Sequence, residues 1–238
     1  MQKTLLFIGA TLLLISCSKK ESKENLHITG NIEGFKKGTV YIQKVKNDTV
    51  LEPIDTIKIN GDSHFVSDIN LKEPEMLYLF IDRGVSNSID NNLPFFAEPG
   101  VMNINTSLDF FTADAKITGS KNQELYDEYK KVASRYVDAN LDLIKKEFEA
   151  QKKNDTKILS QIQKERESNI SKKYLYSVNF AVNNKNYEVA PYVTLAEIYD
   201  INLKYLDTIQ KSLTPKINNS LYGKKLKVLI EDRKKLDQ

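Results

Sequence analysis

At Gly119 the hydrophobic period of this chain changes from two residues to between three and four, which divides it into a β part and an α part. Upstream, Leu26, Ile28, Gly30 and Ile32 alternate with polar neighbours, the pattern of a strand with one buried face. Gly34 and Gly38 punctuate the chain, and residues 39–45 then carry β-branched and aromatic side chains. Residues 54–59 alternate again, and Asn60-Gly61-Asp62 is a tight-turn signal leading into a strand over 64–69. Further short apolar runs at 76–81, 93–97, 101–106 and 115–118 are separated by Gly, Asn and Pro. This spacing predicts an antiparallel β-sandwich or open barrel over residues 26–119.

Downstream, Ser120-Lys121-Asn122-Gln123 has the form of a capping box, in which the serine and glutamine side chains would both satisfy free amides at a helix start. Leu125, Tyr129, Val132, Tyr136, Ala139 and Leu143 then recur at steps of three and four, one apolar stripe of a long helix. Asn154-Asp155-Thr156 interrupts it, and a second helix is expected over 157–182. A loop at 183–186 follows, and Pro191 suits the first turn of a third helix. Shorter helices are expected at 203–212 and 221–236, separated by Thr214-Pro215. The fold class is α+β: a β domain over 26–119 followed by a C-terminal helical arm over 120–238.

The N-terminus bears on where such a protein resides. Lys3 precedes an apolar stretch from Leu5 to Ile15, and Leu14-Ile15-Ser16-Cys17 then resembles the lipobox of a bacterial lipoprotein signal. Eleven helical residues cover about 16 Å at ~1.5 Å each, half of a hydrocarbon core ~30 Å thick. The stretch is too short to serve as a permanent span. It reads as a signal peptide over 1–16, cleaved before Cys17, whose sulfur would take a diacylglycerol. At ~0.8 kcal/mol per buried methylene, two or more acyl chains hold a protein essentially permanently. Residues 17–25 read as a lipidated, flexible tether, since Ser-Lys-Lys-Glu-Ser-Lys-Glu is polar and charged. Ser18 stands where an aspartate would signal inner-membrane retention, which points to the outer membrane, with the body facing the periplasm.

Composition narrows the function classes. Thirty-five Lys and Arg against 32 Asp and Glu leave a net charge of +3, with the signs interspersed, so no basic patch for nucleic acid is expected. Cys17 is the only cysteine, so once acylated it leaves no thiol for a disulfide, a thiolate metal site or a nucleophile. His27 and His64 are the only histidines, both in expected strands, and no Gly-x-Ser-x-Gly elbow accompanies them. Neither a metal-ligand spacing nor a cofactor motif occurs, so no cofactor and no catalytic residue is expected. Glu147-Phe148-Glu149 and Glu165-Arg166-Glu167 read as solvated helix faces. Glu98-Pro99-Gly100 reads first as a turn, and Tyr126, Tyr129 and Tyr136 as core or interface rather than a ligand platform. Asp48-Thr49-Val50, Asp55-Thr56-Ile57 and Asp207-Thr208-Ile209 fit an Asp-Ser/Thr-apolar pattern of bacterial O-glycosylation.

Several phrases in order resemble Bacteroidota-type lipoproteins with domain of unknown function 4369. Ile28-Thr-Gly30-Asn-Ile32 with Gly38-Thr-Val-Tyr41-Ile42 resembles the family's opening hairpin, and 55–61 the phrase before a second hairpin. Phe95-Phe-Ala-Glu98-Pro99-Gly100 resembles its Phe–Glu–Pro–Gly turn, and Ile117-Thr-Gly119-Ser120 its closing Gly–Ser. Ala190-Pro191-Tyr192 and 213–223 resemble its helical arm. The Asp62-Ser-His64 step departs from the usual glycine-to-phenylalanine interval, so the turn there is expected to differ. Family members often continue into a thioredoxin-like domain. This chain ends at Gln238 about where one would begin and carries no Cys-x-x-Cys, so redox activity is not carried over. The resemblance implies a membrane-anchored, non-catalytic module that binds or scaffolds an envelope protein. Its alternative is an accessory subunit of a separate thioredoxin-like oxidoreductase.

Overall fold

A computed structural model of the chain describes residues 24–47, 49–84 and 89–236. The signal segment, Cys17 and the tether up to residue 23 lie outside the described residues, as does Asp48 of the first glycosylation tripeptide.

Among the described residues, eight strands form two sheets of four. One contains β1 (Leu26–Glu33), β4 (His64–Ile69), β7 (Gly100–Ser107) and β8 (Lys116–Thr118), in the order β4-β1-β7-β8. The other contains β2 (Lys37–Lys46), β3 (Val50–Asn60), β5 (Glu75–Asp82) and β6 (Asn92–Ala97), in the order β3-β2-β5-β6. The inward residues of both sheets close on one core: Leu26, Ile28 and Ile32 of β1 meet Val40, Ile42, Leu79 and Phe95 with no side-chain surface left to solvent. The β domain is therefore a sandwich rather than an open barrel.

Two expectations about pairing change. The sandwich is not purely antiparallel, because β1 and β7 run parallel from Leu26↔Gly100 to Glu33↔Ser107. The expected hairpins are corner turns instead. β1 pairs with β4 and β7 while β2 pairs with β3 and β5, so the chain passes between sheets after β1 and again at Asn60-Gly61-Asp62. Gly61 sits at φ +97° in that second corner and donates to the Lys36 carbonyl at 2.7 Å. At Gly30 a glycine is needed for space: a β-carbon would lie 2.3 Å from the Ile104 carbonyl oxygen and 2.4 Å from the Phe65 ring. Phe65, paired opposite it, covers the gap.

The helices follow as α1 (Lys121–Lys152), α2 (Thr156–Asn183), α3 (Val189–Glu197), α4 (Leu203–Ser212), α5 (Pro215–Asn218) and α6 (Leu221–Leu236). The short α5 fills what the sequence marks only as a Thr214-Pro215 break. α1 and α2 make an antiparallel hairpin whose inner seam on α1 is Tyr129, Tyr136, Leu143, Glu147 and Ala150. These meet Tyr176, Ser177, Asn169, Ile162 and Arg166 of α2. The seam departs from the expected stripe: Val132 is half-buried and Ala139 exposed, while Ala133 and Ala150 are inside. The remaining helices share a second core around Ala190, Leu206, Ile209, Ile217 and Leu226.

Candidate functional site

The helices meet the sandwich at the free side of β6, an edge strand whose outward amides need partners. The Gln123 side-chain oxygen accepts from the Phe96 amide at 2.6 Å, and the Tyr222 hydroxyl accepts from the buried Met76 amide at 2.8 Å. Around these contacts lies an aromatic layer. Phe96 meets Tyr192 edge-on at 5.4 Å, Tyr192 meets Tyr222 at 5.0 Å, and Tyr126 meets Tyr192 at 5.6 Å. Burial pushes the Tyr192 and Tyr222 hydroxyls upward, so both stay protonated near neutral pH. The tyrosines of α1 thus serve as core and interface, as their spacing suggested: Tyr129 is buried against Phe180 at 5.0 Å, and its hydroxyl shares a 2.8 Å hydrogen bond with Ser177.

The capping box at α1 is only half formed. Ser120 Oγ accepts from the Gln123 amide at 3.0 Å, but the Gln123 side chain is diverted to Phe96 and to Asp127. Glu98 supplies acceptors for two further free amides: one carboxylate oxygen takes the Lys121 amide at 2.8 Å, the other the Asn122 amide at 3.2 Å. A carboxylate at a helix N-terminus also suits the helix dipole. Glu98 therefore anchors the α1 start to the turn that Pro99 and Gly100 build. Glu73 does the same for α6, accepting from the Leu221 amide at 2.8 Å.

Two cavities flank this junction. The larger, about 660 Å³, is an apolar groove between α3 and α6, walled by Tyr192, Leu195, Ala196, Leu221, Tyr222, Val228 and Leu229, with Glu73, Lys224 and Lys225 at its margin. Val228 is 56% exposed within it, and Lys224 is exposed at its lip. The smaller, about 460 Å³, is a polar cleft lined by residues that include Lys72, Glu98, Lys121, Asn122, Glu188 and Lys216. There the Asn122 amide donates to Glu98 at 2.7 Å and to Glu188 at 3.4 Å, while its carbonyl accepts the Val189 amide at 2.9 Å. Asn122 thus ties the starts of α1 and α3 together.

Glu188 is only 3% exposed, and burial raises its carboxyl above the usual range. Its protonated form is favoured in the folded state, so its contribution to stability is greatest below about pH 4.5 and is lost as pH rises through the folded value. Glu188→Gln is expected to melt above the wild type at pH 7, with the advantage disappearing toward pH 4. A pH series of thermal melts checks this, and equal melting temperatures at pH 7 would contradict it.

Both histidines lie on the outer surface, each against an aspartate: His27 meets Asp68 and His64 meets Asp62, both at 2.6 Å. They belong to neither cavity. Among the described residues no group of three His, Cys, Asp or Glu side chains is placed to hold a metal ion, and no helix is long and apolar enough to cross a membrane. Arg166, between its two glutamates, pairs with Glu147 of α1 at 2.7 Å. In the remaining tripeptides, Asp55 accepts from the Thr56 amide and Ser67 hydroxyl, and Asp207 pairs with Lys234 at 2.9 Å, leaving Thr56 and Thr208 exposed. Glu73 and Glu188 carried no local signal in the sequence, since each acts on a helix start through the fold.

The geometry defines an α+β protein: a two-sheet sandwich with helices fastened to one sheet edge through caps and aromatic packing. Residues 26–126 match the family model described as domain of unknown function 4369. The match spans the whole sandwich and the first turns of α1, and stops short of the other helices. No curated protein matches the chain.

Proposed function

We propose that this protein is a non-catalytic lipoprotein of the bacterial cell envelope, anchored by Cys17 to the outer membrane and facing the periplasm, whose folded body binds or scaffolds a partner protein. The apolar groove between α3 and α6 is the observation that supports the binding role. Its neighbouring polar groups are already committed to the fold: Glu73 holds the α6 start, and the Tyr222 hydroxyl holds Met76. What remains on offer is apolar surface beside the exposed Lys224 at the lip, which suits an apolar segment with an acidic flank.

The tether reading is supported by how the chain leaves the sandwich. The Asn25 side chain donates to the Leu71 carbonyl at 2.7 Å and accepts its amide at 2.8 Å, while the Asn25 carbonyl accepts from Gly100 at 2.9 Å. Asn25, the last residue of the 17–25 tether, is thereby locked to two neighbouring segments, so a linker to the lipid would end at Glu24.

A photo-reactive residue at Val228 in the full-length protein tests the binding role in native membranes. One protein adduct is expected, reduced at least several-fold by Ala196→Arg, which places a long charged side chain across the groove. Adducts confined to lipid, or labelling indifferent to Ala196→Arg, would contradict the reading.

A further inference from the structure

α1 is 32 residues long, about 48 Å at ~1.5 Å per residue, and its inner seam faces α2. A second apolar row lies on another side of the same helix. Val137, Leu141, Ile144 and Phe148 follow one another at steps of four, three and four, and are 49%, 51%, 43% and 59% exposed. Apolar residues at those steps form the seam of a two-helix coiled coil, yet among the described residues no other element covers them. Four large side chains in one row give a continuous apolar strip, and the largest such patches on monomeric proteins are often functional.

The strip and its flanks select the occupant. We propose that it is a self-association seam, along which α1 of one copy packs antiparallel against α1 of a second copy. Aligned about a two-fold axis between residues 142 and 143, Leu141 faces Ile144 of the other copy and Val137 faces Phe148. Each layer then pairs a smaller side chain with a similar or larger one, so the layers match in volume. The flanking positions on one side of the strip are Asp138 and Lys145, both exposed. In antiparallel order Asp138 stands opposite Lys145 of the second copy, and the symmetry repeats the pair. A parallel alignment sets Val against Val and Phe against Phe, and places Asp138 opposite an alanine and Lys145 opposite an asparagine. Within one copy Lys145 holds only an exposed 3.2 Å contact to Asp142, which costs little to exchange. The contact area falls below that of permanent dimers, so the association is of the weak, reversible kind.

The inference does not depend on the groove or on acylation, and charge reversal tests it. The full chain in detergent is followed by sedimentation across a concentration series reaching the high-micromolar range, with far-UV circular dichroism to verify folding. Wild type is expected to approach a dimer. Asp138→Lys and Lys145→Asp, each setting like charges together at two symmetric places, should each weaken it about tenfold, and the double reversal should restore it. Leu141→Asp should leave a folded monomer. A wild type that stays monomeric throughout, or a dimer unmoved by Leu141→Asp and by the single reversals, would overturn the proposal. So would a strip whose Leu141→Asp change abolishes binding to phosphatidylglycerol vesicles in a protein that never dimerises, since its occupant would then be a lipid surface.

Discussion

Tyr222→Ala is expected to lower the melting temperature by about 10 °C or more. Tyr222 is 8% exposed and joins the helices to the sandwich in two ways: its ring lies in the Phe96–Tyr192 layer, and its hydroxyl satisfies the buried Met76 amide. Truncating a buried aromatic costs about 3–5 kcal/mol, and an orphaned buried amide adds about 1–3 kcal/mol. For a chain of this size each kcal/mol moves the midpoint by roughly 2–4 °C. Tyr222→Phe keeps the ring and removes only the hydroxyl, so its loss should be confined to the hydrogen-bond part, about 3–6 °C. Thermal denaturation of the two variants beside wild type separates these contributions. A Tyr222→Ala protein melting within a degree or two of wild type would show that α6 is not fastened to β5 as described.

The second large effect concerns residence rather than stability. Cys17→Ser removes the only sulfur able to take the diacylglycerol, so incorporation of labelled fatty acid should fall to background. The variant should either keep its signal segment or be found outside the membrane fraction. A single oxygen-for-sulfur exchange leaves the folded body untouched, so its melting temperature should match wild type in the same detergent. Fatty-acid labelling that survives the change would place any acyl group elsewhere.

Much of the architecture was legible because it is written locally. The period-two runs and the Gly, Asn and Pro between them locate all eight strands, and the Ser120 cap marks the entry to α1 within a residue. What could not be read is what depends on distant partners. The parallel pairing of β1 with β7 joins segments more than 70 residues apart and leaves no trace in either strand's own periodicity. Tight-turn chemistry at Asn60-Gly61-Asp62 was visible, but whether the next strand returns to the same sheet or crosses to the other depends on which face of the sandwich still needs cover.

The junction shows the same limit. Gln123 looks like a partner for Ser120, yet its side-chain oxygen takes the open amide of Phe96, and Glu98 caps the Lys121 and Asn122 amides. Glu73 caps a helix 148 residues further on, a relation with no sequence signature. In α1 an apolar-in, polar-out reading misjudges the seam, because Arg166 draws Glu147 toward α2 while Leu141 and Ile144 stay outside. The groove is likewise a product of α3 and α6 meeting at one sheet edge. Neither helix alone announces it.

Mass spectrometry of the N-terminal peptide from membrane-purified protein tests the anchored-module reading most directly. The expected result is a peptide beginning at Cys17 that carries a thioether-linked diacylglycerol, usually with a further acyl chain on its new amino group. A mature polypeptide with an unmodified Cys17 would contradict it.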